Sequence, residues 1–234
     1  TRFPGKPMAL LCGKPMIEHV YRRSAAAPYV TRVMVATDDP RIVAAVEGFG
    51  GEARLTRTDH RSGSERLAEV AEGMECDLVV NVQGDEPLID PRAIGQAIEP
   101  FFSDSQLCVT TLKTRIREQE ALWSPHVNKV VTDTAGFALG FSRVPLPPGE
   151  PEAEINLEAQ PYFKHIGLYV YTRSFLLRFP HLPVTPGEQR ERLEQLRILE
   201  NGIPIKVVET PYDCVGVDTP EDLPRAEAAL RCRQ

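Results

Sequence analysis

Short β-branched runs alternate with helical patterns along the first third of the chain. RVMVAT (Arg32 to Thr37) reads as a strand, and DDPRIVAAVEGFGG after it as a helix. Asp38 or Asp39 suits the N-cap, Pro40 the first turn and Gly50-Gly51 the stop. EARLT predicts another strand. SGSERLAEVAEGM then predicts a helix opened by Ser62-x-x-Glu65, the spacing of a capping box. DLVVNV (Asp77 to Val82) is so continuously apolar that it is expected to be buried on both faces. This strand–helix alternation predicts βαβ units and a parallel sheet.

The second half is less regular. LCVTTLKT, NKVVTD and GFALGFSR predict three strands joined by short turns, and HIGLYVYT a fourth. Between them VPLPPGEPEAEINLEAQP is Pro- and Glu-rich and too long for a plain connection, which predicts a functional loop or flap. GEQRERLEQLRILENG reads as one amphipathic helix closed by Gly202, IPIKVVET as a strand, and DTPEDLPRAEAALRCR as a helix capped by Asp218 or Thr219. One α/β domain with an inserted antiparallel lobe fits this order, with parts at about 1–112, 113–210 and 211–234.

Composition changes the picture by exclusion. The 234 residues suffice to bury a sizeable core. A net charge of -6 argues against a nucleic-acid surface, which needs clustered Lys and Arg. No apolar run approaches bilayer length, so no membrane partner is expected. Five cysteines, at 12, 76, 108, 214 and 232, share no C-x-x-C spacing, which speaks against a disulfide framework and a zinc site. Reduced thiols and a cytoplasmic location are the expectation.

Ligands of parallel sheets bind beyond the carboxyl ends of strands, and three segments qualify. VVNVQGDEP delivers Asp85 after an apolar strand, either as a turn cap or as an oxygen ligand for a hard cation. CVGVDTPED delivers Asp218 after another apolar run, either as a helix cap or as the second ligand of the same metal. TRFPGKP sets Arg2 and Lys6 around a Pro/Gly-stiffened turn, which is either a solvated terminus or a polyphosphate site. It is no Walker A loop, and no G-x-G-x-x-G follows a strand.

These segments, with GKPMIEHV, VATDD, TRTDHRSGSERLAEV, FSRVPLP, YFKHIGLYVYTRSFL and LEQLRILENG, carry a resemblance over essentially the whole chain. In order and spacing they are similar to the bacterial 3-deoxy-manno-octulosonate cytidylyltransferases, or CMP-Kdo synthetases. The resemblance implies a nucleotide-diphospho-sugar transferase-like (Rossmann-like) α/β fold, with a mixed, mostly parallel sheet flanked by helices. It also implies a homodimer, CTP and the acidic eight-carbon sugar Kdo as substrates, Mg²⁺ as cofactor and a place in lipopolysaccharide synthesis. Cytidylyl transfer to 8-amino-Kdo or a sialic acid is the neighbouring alternative, and a non-catalytic binding homologue the distant one.

Residue by residue, the resemblance assigns the CTP triphosphate to Arg2 and Lys6, and Mg²⁺ to Asp85 and Asp218. Arg57, Ser62 and Gly63 fall in the segment near the cytosine, and Gln83 serves both substrates. Arg143, His165, Tyr169, Glu194 and Gln195 fall to the sugar. Without the resemblance His165 reads as a structural histidine and Glu194 as part of a solvated helix face. Family members also begin with a strand and a P-A-R turn ahead of the position of Thr1. The sequence therefore predicts an N-terminal truncation, an absent first central strand, and weak stability and activity of the chain alone.

Overall fold

The computed structural model describes residues 3, 5–145, 155–214 and 216–231. Arg2 and half of the Pro- and Glu-rich loop lie outside them. The chain folds as two compact units. Unit 1 combines residues 1–75, 80–95 and 212–234, and unit 2 takes 76–79 and 96–211. These cuts differ from the expected parts, because the C-terminal segment joins the N-terminal one.

In chain order, unit 1 holds β1 (Leu10–Leu11), β2 (Lys14–Pro15), α1 (Met16–Ala25), β3 (Val35–Thr37), α2 (Pro40–Gly48), β4 (Ala53–Leu55) and α3 (Gly63–Glu72). The chain then crosses between units within β5 (Leu78–Asn81) and α4 (Pro91–Ile98). Unit 2 follows with β6 (Val109–Arg115), α5 (Gln119–Trp123), β7 (Lys129–Thr132), β8 (Ala138–Ser142), β9 (Phe163–Thr172) and α6 (Arg173–Arg178). It closes with α7 (Pro186–Glu191), α8 (Gln195–Glu200) and β10 (Lys206–Glu209), and α9 (Leu223–Arg231) returns to unit 1.

Unit 1 is built by its caps. Asp39, rather than Asp38, caps α2 by accepting the Arg41 amide at 2.9 Å, while Asp38 pairs with Arg66 at 3.1 Å. Gly51 follows that helix because a Cβ there would lie 2.6 Å from the Phe49 ring. Ser62 caps α3 by accepting the Glu65 amide at 3.3 Å. β3 and β4 pair in parallel as a two-stranded sheet. A cluster of Leu11, Met16, Leu88, Val217, Ala226 and Leu230 packs the opening of the chain against α9.

Unit 2 centres on the strand order β10-β6-β9-β7-β8, with β5 pairing β9 off that path. β10 runs parallel to β6, whereas β6·β9, β7·β8 and β7·β9 are antiparallel. The sheet is therefore mixed and flanked by helices, as expected, and among the described residues its antiparallel pairs outnumber its parallel ones. β9 returns antiparallel through the middle, and β3 and β4 form a sheet of their own.

Three further expectations are corrected. Leu78, Val79 and Val80 of β5 are half-buried, and only Asn81 is buried; among the described residues β5 pairs with β9 alone. The helix expected over 187–202 is broken into α7 and α8 by Arg192, which adopts φ 55°. The run before Asp218 forms no strand among the described residues. Helices α1, α4, α5 and α6 were not expected from the sequence pattern. Among the described residues no helix is long and apolar enough to cross a membrane.

Candidate active site

The turn after β5 is closed by the Glu86 amide on the Gln83 carbonyl at 3.2 Å, and this places Asp85 at the strand's end. Its backbone carbonyl accepts the Val217 amide at 2.9 Å. Val217 is fully buried, so the next residue, Asp218, is anchored beside Asp85. Asp218 is not spent as a helix cap. Thr219 is the N-cap, and the Asp222 carboxylate accepts the amides of both Asp218 and Thr219 at 2.9 Å. Burial would raise the Asp222 pKa, but those two amides hold it below the usual carboxylate range.

Lys6 completes the group. Gly5, at φ 71°, turns the chain into the 3-10 turn Lys6–Met8, a conformation open to glycine. The Lys6 ammonium donates to Asp85 Oδ2 and reaches Asp218 Oδ1 at 3.3 Å. Burial alone would lower its pKa, but the hydrogen bond and charge of Asp85, with Asp218 behind them, raise it. One cation thus bridges two carboxylates that lie 133 positions apart in sequence.

A bridging ammonium is the observation that tests the site for a metal. Two carboxylates that share one cation suit the hard-ion preference of Mg²⁺. Among the described residues no group of three or more His, Cys, Asp or Glu side chains is arranged to hold a metal ion, so the pair would need a ligand's oxygens.

The residues assigned to the nucleotide fall nearby in unit 1, but not all together. Gln83 Nε2 donates to Asn81 Oδ1 at 3.4 Å, and a Cβ at Gly63, which opens α3, would lie 4.0 Å from Asn81 Nδ2. Gly63 and Gln83 therefore both lie close to Asn81, a buried residue that sequence reasoning missed. A polar side chain ending an apolar strand was the available signal. Arg57 sits apart in an exposed pairing with Glu69 at 3.3 Å and Asp59 at 3.6 Å.

Apart from Gln83, the residues assigned to the sugar belong to unit 2. His165 on β9 is buried; its Nε2 lies 2.9 Å from the Thr111 hydroxyl, and its ring stands edge-on to Phe141 and tilted against Tyr169. Burial pushes the His165 pKa down to about 3, so the imidazole is neutral. Burial, with Tyr171 and Glu194 nearby, keeps the Tyr169 phenol protonated. Gln195 is buried, and its Nε2 has no hydrogen-bond partner among the described residues, an arrangement that favours a ligand acceptor. Arg143 donates from Nε to the Glu191 carbonyl at 3.0 Å and from Nη1 to the Pro125 carbonyl at 3.2 Å. Among the described residues no carboxylate pairs with its charge.

Comparison with known proteins gives this chemistry a family. The cytidylyltransferase family model matches residues 1–207. A 3-deoxy-manno-octulosonate cytidylyltransferase of Trichlorobacter lovleyi is 52% identical over 99% of this chain and 94% of its own length. The chain belongs to the 3-deoxy-manno-octulosonate cytidylyltransferase family. Its counterpart in Syntrophotalea carbinolica is 53% identical, again over 99% of this chain and 94% of that protein. A solved CMP:2-keto-3-deoxy-manno-octonic acid synthetase, complexed with CTP, superposes with a TM-score of 0.92 at 43% identity, over 100% of this chain and 95% of that one. The 4-diphosphocytidyl-2C-methyl-D-erythritol synthase of Anaerococcus prevotii, at 12% identity and a TM-score of 0.62 over 96% of this chain and 93% of that one, shares the fold alone. The truncation expected at the N-terminus finds no support in this coverage.

Proposed function

We propose that this family member transfers CMP from CTP to the anomeric hydroxyl of Kdo and releases pyrophosphate. The observation that carries the reading is the acid pair Asp85–Asp218 gathered on one cation. The anomeric oxygen would bond to the α-phosphorus as the bond to the bridging oxygen breaks, with no covalent enzyme intermediate. Positioning and charge neutralisation would supply most of the acceleration.

In this reading Lys6, together with Arg2, neutralises the triphosphate and the charge that grows on the leaving pyrophosphate. Asp85 and Asp218 would hold Mg²⁺, which when bound polarises the α-phosphate and lowers the pKa of the attacking hydroxyl. Gln83, Ser62, Gly63 and Arg57 are assigned to the nucleotide. Arg143 has donors left over for the sugar carboxylate, which arginine binds in bidentate fashion. Neutral His165, the Tyr169 phenol, Glu194 and the unpartnered Gln195 amide suit the sugar hydroxyls.

We place the reaction in the cytoplasm, feeding lipopolysaccharide assembly; the free thiols of Cys12, Cys76, Cys108 and Cys214 fit a reducing compartment. A homodimer would cover exposed apolar side chains such as Leu139 on the edge strand β8 and Val144 just past it. The test is pyrophosphate release with CTP, Mg²⁺ and Kdo, run beside 8-amino-Kdo and a sialic acid. Turnover that favours Kdo supports the reading. Preference for another sugar reassigns the acceptor, and binding of CTP and Kdo without turnover overturns transfer.

A further inference from the structure

Lys129 opens β7 and is 1% exposed, among the most deeply buried polar residues described. Its ammonium donates to the Ser124 carbonyl at 2.6 Å and to the Arg143 carbonyl at 3.0 Å. Among the described residues it pairs with no carboxylate. A charge buried on carbonyls alone is costly, and its desolvation pulls the pKa down to about 8. A neutral side chain of the same length would fill this space at lower cost. The charge therefore calls for a use beyond stability.

The contacts indicate that use. Lys129 lies opposite Ser142 in the β7·β8 register, so its side chain reaches the backbone where β8 delivers Arg143. Arg143 in turn holds the Pro125 carbonyl through Nη1 and the Glu191 carbonyl through Nε. The two cations thus hold adjacent carbonyls of one turn, 124–129: Lys129 that of Ser124 and Arg143 that of Pro125. That turn also receives the His165 amide, on the Asn128 carbonyl at 2.8 Å. With its carbonyl held by Lys129 and its fork held by Pro125 and Glu191, the Arg143 guanidinium has its position fixed before any acid arrives. Pre-organisation of this kind strengthens binding by removing the ordering cost from the binding step.

We propose that Lys129 is a positioning residue for acceptor recognition: it clamps the 124–129 turn to the Arg143 backbone so that the Arg143 guanidinium is preset for the acceptor's carboxylate. This rests on the proposed function for the identity of the acceptor. Lys129 touches no substrate and acts through Arg143.

The experiment compares wild type, Lys129→Met, Arg143→Met and the double variant in pyrophosphate release, with Kdo and CTP varied separately. Lys129→Met is expected to raise KM for Kdo about tenfold, to leave KM for CTP unchanged, and to leave the melting temperature unchanged or higher. Arg143→Met is expected to cost more. The double variant should be no worse than Arg143→Met alone, because residues that act through one another do not add. An unchanged Kdo KM, equal rises for both substrates, or additive effects would overturn the proposal. If wild type turned over none of the sugars, the proposed function would fall instead. Amide exchange over 124–129 would then decide the clamp: faster exchange in Lys129→Met supports it, and unchanged exchange overturns it.

Discussion

The amide of Val217 donates to the carbonyl of Asp85 at 2.9 Å, so the residue before one acid is fastened to the backbone of the other. The spacing of the two carboxylates is thus set by main chain, and substitution of either side chain should leave it intact. Asp85→Asn is expected to cut pyrophosphate release by at least about 100-fold, the scale of losing one electrostatic stabiliser, with an unchanged melting curve. Wild-type turnover would remove Asp85 from the metal assignment.

Lys6 is shared by the same two carboxylates. Lys6→Met should tighten Mg²⁺ binding to the free protein by about tenfold, or 1.4 kcal/mol, because the competing cation is gone. The same variant should lose turnover, since it can no longer neutralise the leaving pyrophosphate. Calorimetric titration of Mg²⁺ beside a turnover assay reads both effects, and weaker Mg²⁺ binding would contradict the shared site.

His165 gives a pH prediction with a definite sign. Its folded pKa of about 3 lies below the unfolded value of about 6.5, so within that window the unfolded chain takes up a proton that the native state refuses. Stability should therefore fall as pH drops from about 6.5, by up to about 1.4 kcal/mol per unit. His165→Gln should flatten that part of the profile. Urea unfolding of both proteins at pH 7 and pH 5 measures the difference.

Arg197 joins the two short helices that replace the expected long one. It is 3% exposed, donates from Nε and Nη2 to the two oxygens of Glu188 at 2.8 and 2.6 Å, and lies over the Phe179 ring. Arg197→Met strands a largely buried carboxylate and should cost about 3 kcal/mol, read by urea unfolding. The double variant with Glu188→Gln should recover part of that loss. Because α8 begins with Gln195, the single variant should also raise KM for Kdo.

What the sequence revealed and what it hid divide along the range of the interactions. Asp39, Ser62 and Thr219 were recognisable as caps because a cap is a contact within a few residues. Asp85 was recognisable because a carboxylate straight after an apolar run is a local pattern. The break at Arg192 was not, since an i, i+3, i+4 pattern continues through it; the Glu188–Arg197 fork is compatible with the break, and the same break brings Glu194 and Gln195 to the start of α8. Lys129 was passed over as the polar end of a strand. Its burial follows from carbonyls on two separate segments, and nothing adjacent in sequence signals them. Asn81 was hidden too, because the Gln83 side chain reaches it only once the following turn has folded back.

Unit 1 is assembled from three separate stretches of chain, and Lys6, Asp85 and Asp218 come one from each. During synthesis the lysine and the first acid leave the ribosome early, whereas the second acid follows after an interval on the order of ten seconds at typical elongation rates. Over that interval the nascent polypeptide carries only half of its acid pair. A polypeptide that ends before Asp218 lacks the second carboxylate, so completing the acid pair depends on the last stretch of chain to be made.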